Sequence, residues 1–290
     1  MFSHSAARLG ALLASAVLAT TVLAGCGSGN AAGGDGTSVV AGFYPFAYVA
    51  QRVAGDHASV TNLTSPGAEP HDLELAPRQV AEVAEADVVV HAPGFQPAVD
   101  DAVAENADGA VVEVDARSDD PHLWQDPTKL AAVADDVADA LAAADRAHAA
   151  DYRRDAAALT RDLQALDREF RQGLAHCERR TIVTSHAAFG HLAQRYDLQM
   201  VPIAGISPDT EPSPARLAEL ARLVTDRGVT TVFTETLASP ALARTLADEV
   251  GVRTAVLDPI EGLSGATADE DYFSLMRSNL AALRTANGCS

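Results

Sequence analysis

Three histidines and an aspartate stand where this sequence could most readily do chemistry. His71 lies in Gly67-Ala68-Glu69-Pro70-His71-Asp72, and His122 in Asp119-Asp120-Pro121-His122-Leu123-Trp124-Gln125-Asp126-Pro127. His186 follows in Thr184-Ser185-His186-Ala187-Ala188-Phe189-Gly190, and Asp258 in Leu257-Asp258-Pro259. A single loop histidine is usually a surface residue, but each of these segments follows a short apolar run. Neutral imidazoles and a carboxylate are metal donors, and three with one can close a four-coordinate shell around zinc at roughly 2.0–2.2 Å per bond. Imidazole suits Zn, Cu, Ni or Fe, whereas Mn and Ca prefer more oxygen.

The elements that must position these residues alternate in type. Short apolar runs at 39–43, 59–63, 87–91 and 110–114 read as strands, with helical patterns at 46–54, 77–84 and 95–105. A second set has strands at 181–184, 198–202, 230–234 and 253–257, with helices at 186–196, 214–226, 240–250 and 271–286. Between the sets, Tyr152, Ala156, Leu159, Leu163, Leu166, Phe170 and Leu174 form one stripe at helical spacing. A helix of about 28 residues, roughly 42 Å long, carries that stripe. The expected fold is α/β: two parallel-sheet lobes joined by a long rigid helix. The four donors then fall at the carboxyl ends of strands, two from each lobe, where open α/β sheets bind ligands. That puts a metal site in the cleft between the lobes. The expected bounds are 38–145 for the N-terminal lobe, 146–177 for the connecting helix and 178–290 for the C-terminal lobe.

Composition narrows the partners. The 290 residues carry 21 basic and 40 acidic side chains, a net charge of −19, which argues against nucleic acid. At the N-terminus, Arg8 precedes an uncharged apolar run, 9–23, too short to span a bilayer comfortably but suited to a secretory signal. Leu23-Ala24-Gly25-Cys26 resembles a bacterial lipobox, so 1–25 is expected to be a lipoprotein signal peptide and Cys26 the lipidated residue. Residues 26–37 are glycine-rich and expected to act as a flexible tether. The body is then extracytoplasmic, lipid-anchored to the cell membrane, and expected to be a monomer. Cys177 and Cys289 remain, an even pair without CxxC spacing in an oxidising compartment, so a single disulfide is expected.

The segments EPHDLE, DPHLWQDP, SHAAFGHLAQRY, ISPDTEPSPARLAEL, FTETLASP and VLDPIEGL resemble motifs of the zinc- and manganese-uptake ABC-transporter solute-binding proteins, the ZnuA/TroA-like group. The resemblance runs from about residue 38 to 289 and includes motifs of both lobes in order. It implies a non-enzymatic protein that captures a divalent metal and delivers it to a membrane permease served by a cytoplasmic ATPase. It also implies His71 and His122 as the first two ligands, a third that is His in zinc-type members (here His186), and Asp258 as the fourth. Zinc is therefore expected ahead of manganese or iron. The long His-rich loop of many zinc-type members is missing; Asp115-Ala116-Arg117-Ser118-Asp119-Asp120 stands there.

Glu235, at another strand end, is a candidate to hydrogen-bond one of the ligands, and Glu69 a neighbouring acid that could also contribute. His191, five residues after His186, reads as surface or packing. Two other classes compete: a secreted zinc hydrolase, which would need an open coordination position and lacks an HExxH helix, and a surface adhesin.

Overall fold

Runs of β-branched residues make the strands, and prolines start many of the helices. The computed structural model describes residues 36–114 and 120–290; Cys26 and the expected signal and tether up to residue 35 lie outside them. Strands β1 (Thr37–Ala41), β2 (Ala58–Asn62), β3 (Val88–His91) and β4 (Ala110–Glu113) form one sheet in the order β2-β1-β3-β4. Strands β5 (Thr181–Thr184), β6 (Gln199–Pro202), β7 (Thr231–Thr234) and β8 (Arg253–Val256) form a second, β6-β5-β7-β8. Every pairing is parallel, and the two orders are the same. In each sheet the first strand is the place where the strand order reverses, so the crevice beside its carboxyl end is the natural ligand site.

The helices are α1 (Tyr44–Ala54), α2 (Pro77–Glu85), α3 (Pro97–Asn106), α4 (Pro127–Ala144), α5 (Ala149–Gly173), α6 (Gly190–Arg195), α7 (Pro214–Asp226), α8 (Ala241–Val250) and α9 (Tyr272–Asn287). Pro77, Pro97, Pro127 and Pro214 each open a helix, where the missing N–H costs nothing. Asp126 caps α4 by accepting from Thr128 N at 2.8 Å. Residues 186–189 were expected in a helix but are not helical. Thr184 Oγ1 donates to the His186 carbonyl at 2.7 Å, and Ala187 N donates to Gly205 O at 2.8 Å. These bonds hold the segment in a loop, so α6 starts only at Gly190.

Side chains alternate across each sheet, and the alternation sorts the core. Val39, Ala41, Val88 and Val90 face a central cluster, while Val40 and Val89 pack with Val83 and Val99 under α2 and α3. In the second sheet Ile182 and Phe233 join the same central cluster, while Val183 and Val232 pack with Leu220, Val224 and Leu246 of α7 and α8. The central cluster also holds Leu130 and Leu141 of α4, Leu159, Leu163, Leu166 and Phe170 of α5, and Tyr272, Met276 and Leu283 of α9. The long helix therefore does more than connect. Its buried stripe is part of one core shared by both sheets. Asp167 on α5 accepts from Arg171 Nε (3.0 Å), Arg195 Nε (2.9 Å) and Tyr196 Oη (3.3 Å), which ties α5 to the end of α6.

Cys177 and Cys289 form a disulfide that joins the segment after α5 to the residue after the α9 cap. The bridge closes a separation of 112 residues. In the chain-entropy model a loop of this size is worth up to about 4.7 kcal/mol, and measured values are usually smaller. Cys177→Ser with Cys289→Ser should therefore lower the thermal midpoint clearly. An unchanged midpoint would show that the bridge constrains little of the unfolded chain.

Candidate metal centre

Each histidine is set by a different local device. His71 follows Pro70, which opens a single 3₁₀ turn, Pro70–Asp72, and Glu69 Oε1 accepts from His71 N at 3.3 Å. Gln96 Nε2 holds the Pro70 carbonyl at 3.2 Å, and the His71 ring lies on Phe95 with centroids 4.3 Å apart. His122 precedes a second 3₁₀ turn, Leu123–Gln125, and packs against Trp124 with centroids 5.2 Å apart. Asp120 Oδ1 accepts from both His122 N (3.1 Å) and His122 Nδ1 (2.8 Å). His186 leaves the end of β5, and Glu235 Oε1 accepts from its N (3.1 Å) and Nδ1 (2.7 Å). In His122 and His186 the Nδ1 is thus occupied by a carboxylate, which leaves Nε2 as the free donor.

The three rings face one another, with centroids 5.4–5.9 Å apart. The acid they surround is Glu261. Its Oε1 lies 3.7 Å from His71 Nε2, 3.2 Å from His122 Nε2 and 3.3 Å from His186 Nε2. None of these contacts is an aligned hydrogen bond: all three Nε2 atoms and both Glu261 oxygens are buried without a partner. Donor atoms at about 2.0–2.1 Å from a tetrahedral ion stand roughly 3.3 Å apart, close to the 3.2–3.7 Å between Glu261 Oε1 and the three Nε2 atoms. Among the described residues, His71, His122, His186 and Glu261 form the group able to hold a metal, with donor atoms all within 4.8 Å of one another.

The carboxylate that the structure places among the three imidazoles is that of Glu261, where the sequence pointed to Asp258. The Asp258 carboxylate is turned into its own loop: Ile260 N donates to Oδ1 at 2.7 Å and Thr236 Oγ1 to Oδ2 at 2.8 Å. Asn279 fixes the Asp258 backbone, accepting from its N at 2.8 Å and donating to its carbonyl at 2.7 Å. Trp124 Nε1 holds the Pro259 carbonyl at 2.7 Å, and Gln125 Nε2 donates to the same oxygen. Ile260 is thereby locked at φ +59°, a conformation that a β-branched residue adopts only under constraint. The turn carries the chain inward and delivers Glu261, three residues after Asp258. Asp258 builds the arm that presents the donor. The signal available in the sequence was the second acid of VLDPIEGL.

Glu235 stands where the sequence suggested, behind His186. Its replacement by glutamine should weaken metal binding 10- to 100-fold, the usual effect of losing a carboxylate behind a ligating histidine; competition against a chromogenic chelator measures this. Glu69 lies beside the centre, and burial together with the Glu261 charge pushes its carboxyl up to about 8. His191 is buried, and among the described residues it meets Lys129 and Asp120.

The electrostatics fit a cation site. Burial opposes charge on His186, but the carboxylates of Glu235 and Glu261 on either side outweigh it and carry its pKa up to about 10. His122 is raised in the same way, burial being overcome by Asp120 and Glu261. Burial works against the Glu261 charge, yet the facing imidazoles hold it well below the usual carboxylate range. Protons on His122 and His186 therefore compete with a metal for the same centre.

Comparison with known proteins places the chain among zinc-binding relatives. The chain is 35% identical over 305 aligned positions to zinc-binding lipoprotein AdcA of Streptococcus pneumoniae, covering 96% of this chain and 60% of that protein. It therefore spans about three fifths of the AdcA length. It is 31% identical to the high-affinity zinc uptake system protein ZnuA of Bacillus subtilis, covering 91% of this chain and 93% of that one. Among solved structures, the Zn(II)-bound ZnuA-like domain of S. pneumoniae AdcA matches with a TM-score of 0.76 and 34% identity, over 87% of this chain and 99% of that one. The laminin-binding protein Lmb of Streptococcus agalactiae, described as a bifunctional protein with adhesin and metal-transporting activity, matches with a TM-score of 0.80 and 30% identity, over 87% and 99%. Residues 39–286 match the family model of the periplasmic zinc-uptake complex component A, so the chain belongs to the ZnuA family, whose members are binding proteins and not enzymes.

Proposed function

We propose that this protein captures a zinc ion with His71, His122, His186 and Glu261 and delivers it to the permease of an ABC transporter. The observation that carries the reading is Glu261. It is 1% exposed, and neither oxygen has a hydrogen-bond partner. An ionised carboxylate so isolated is costly unless a cation compensates it. Three imidazoles with one carboxylate favour zinc over manganese both by ligand type and by the Irving–Williams order. Four protein donors fill a tetrahedral shell, which suits holding an ion rather than activating water on it.

The family and the sequence support a place of action. An extracytoplasmic position suits the periplasmic family, and Cys26 is the residue for a lipid anchor. Among the described residues no helix is long and apolar enough to cross a membrane. The zinc-uptake family supports a separate permease with its ATPase as the partner that carries the ion across. Elemental analysis of the purified protein, joined to competition between zinc and manganese, tests the assignment. One zinc per chain, retained against excess manganese, supports it; tighter retention of manganese would overturn it.

A further inference from the structure

We propose that Lys129 and His191 are positioning residues for the centre: together they grip the backbone of Asp120, and through it the carboxylate that sets the ring of His122. The proposal rests on the zinc reading above. Lys129 is the sole lysine of the sequence and sits in the first turn of α4; His191 is on α6. Lys129 Nζ lies 2.8 Å from His191 Nδ1. An ammonium has protons to give and no lone pair, so Nδ1 must accept. The ring proton then sits on Nε2, which donates to the Asp120 carbonyl at 2.9 Å.

On the other side of the same residue, Asp120 Oδ1 takes both the backbone N and the Nδ1 of His122. The neutral His122 ring thus carries its proton on Nδ1 and presents Nε2 to the centre, where that atom is buried without a hydrogen-bond partner. A second contact comes from the same helix. A Cβ added at Gly190 would stand 2.3 Å from Asp120 Oδ2, so α6 begins directly against the carboxylate. Asp120 is therefore gripped at its carbonyl by His191 and flanked at its carboxylate by Gly190. Because α4 and α6 lie on either side of α5 in the chain, the clamp closes only when the two halves are packed together.

The test pairs zinc affinity with a measurement on the metal-free protein. His191→Ala and Lys129→Met should each lower zinc affinity about 5- to 10-fold, less than the 10- to 100-fold expected for a direct partner of a ligand. In ¹⁵N-histidine spectra without metal, recorded at a pH where the ring is neutral, His122 should change from one tautomer to a mixture. His191→Gln, which can accept and donate in the same places, should restore most of both. In an Asp120→Ala background, His191→Ala should cost nothing further, since it acts through that residue. Additive losses, or a His191→Ala protein with unchanged affinity and an unchanged His122 tautomer, would overturn the proposal. Failure of the parent protein to bind zinc would instead sink the reading of the centre, and the metal-free spectra would still decide the clamp.

Discussion

Replacing Glu261 with glutamine is expected to lower zinc affinity on the order of 100- to 1,000-fold. Zinc held by a full protein shell is worth about 10–16 kcal/mol, or roughly 3–4 kcal/mol per donor among four. That share converts to two or three powers of ten. The substitution keeps the shape and removes the charge at a point where the three Nε2 atoms converge within 3.2–3.7 Å. Asp258→Ala should cost less, about tenfold, because it loosens the Ile260 turn and leaves all four donors present. Competition titration against a chelator of known affinity reads both. If Glu261→Gln bound zinc within about threefold of the parent while Asp258→Ala lost it, the aspartate would be the ligand after all.

Zinc binding at neutral pH is expected to release protons, and affinity should fall as the solution is made more acidic from well above neutrality. The sequence alone places this fall below about pH 6, near the ordinary histidine value. The structure moves it upward. His186 titrates at about 10 in the folded metal-free protein against 6.5 unperturbed, and His122 is also raised. A proton on either ring must leave before Nε2 can bind metal, so affinity drops about tenfold per pH unit for each proton displaced. The same protons act on the metal-free fold with the opposite preference. A group whose pKa is raised on folding contributes stability that is complete below about 6.5 and is lost as pH climbs through 10. Glu261, held low, contributes above its unfolded value of 4.5 and ceases to do so only as pH falls through its depressed folded value. Calorimetry of zinc binding at pH 7.5 in buffers of different ionisation enthalpy checks the first claim. An enthalpy independent of buffer would show that no proton leaves.

Much of this molecule is legible in its sequence because parallel strands buried on both faces read as unbroken apolar runs. All eight described strands lie within a residue or two of the expected positions, and α7 matches at both ends. The histidines are legible for the same reason: each stands in the loop after such a run. Glu261 is not, because its place depends on a turn held by Trp124, Gln125 and Asn279, residues remote in sequence. Asp258 is nearer to the strand end and has the right chemistry, but hydrogen bonds to its own loop occupy it. The burial of His191 depends on contacts with Lys129 and Asp120, more than sixty positions away, which no local pattern reveals.

The donors of the centre come from the loops after β2, β4, β5 and β8, so no single segment can keep an ion once either half opens. Occupancy is for that reason linked to global unfolding by mass action. At a free ion concentration a thousand times the dissociation constant, the loaded protein gains about 4.1 kcal/mol over the empty one. Where degradation follows the population of opened molecules, that gain translates directly into survival. On the zinc-capture reading proposed above, empty copies are then expected to be cleaved first, and metal supply bears on the lifetime of the protein as well as on its load.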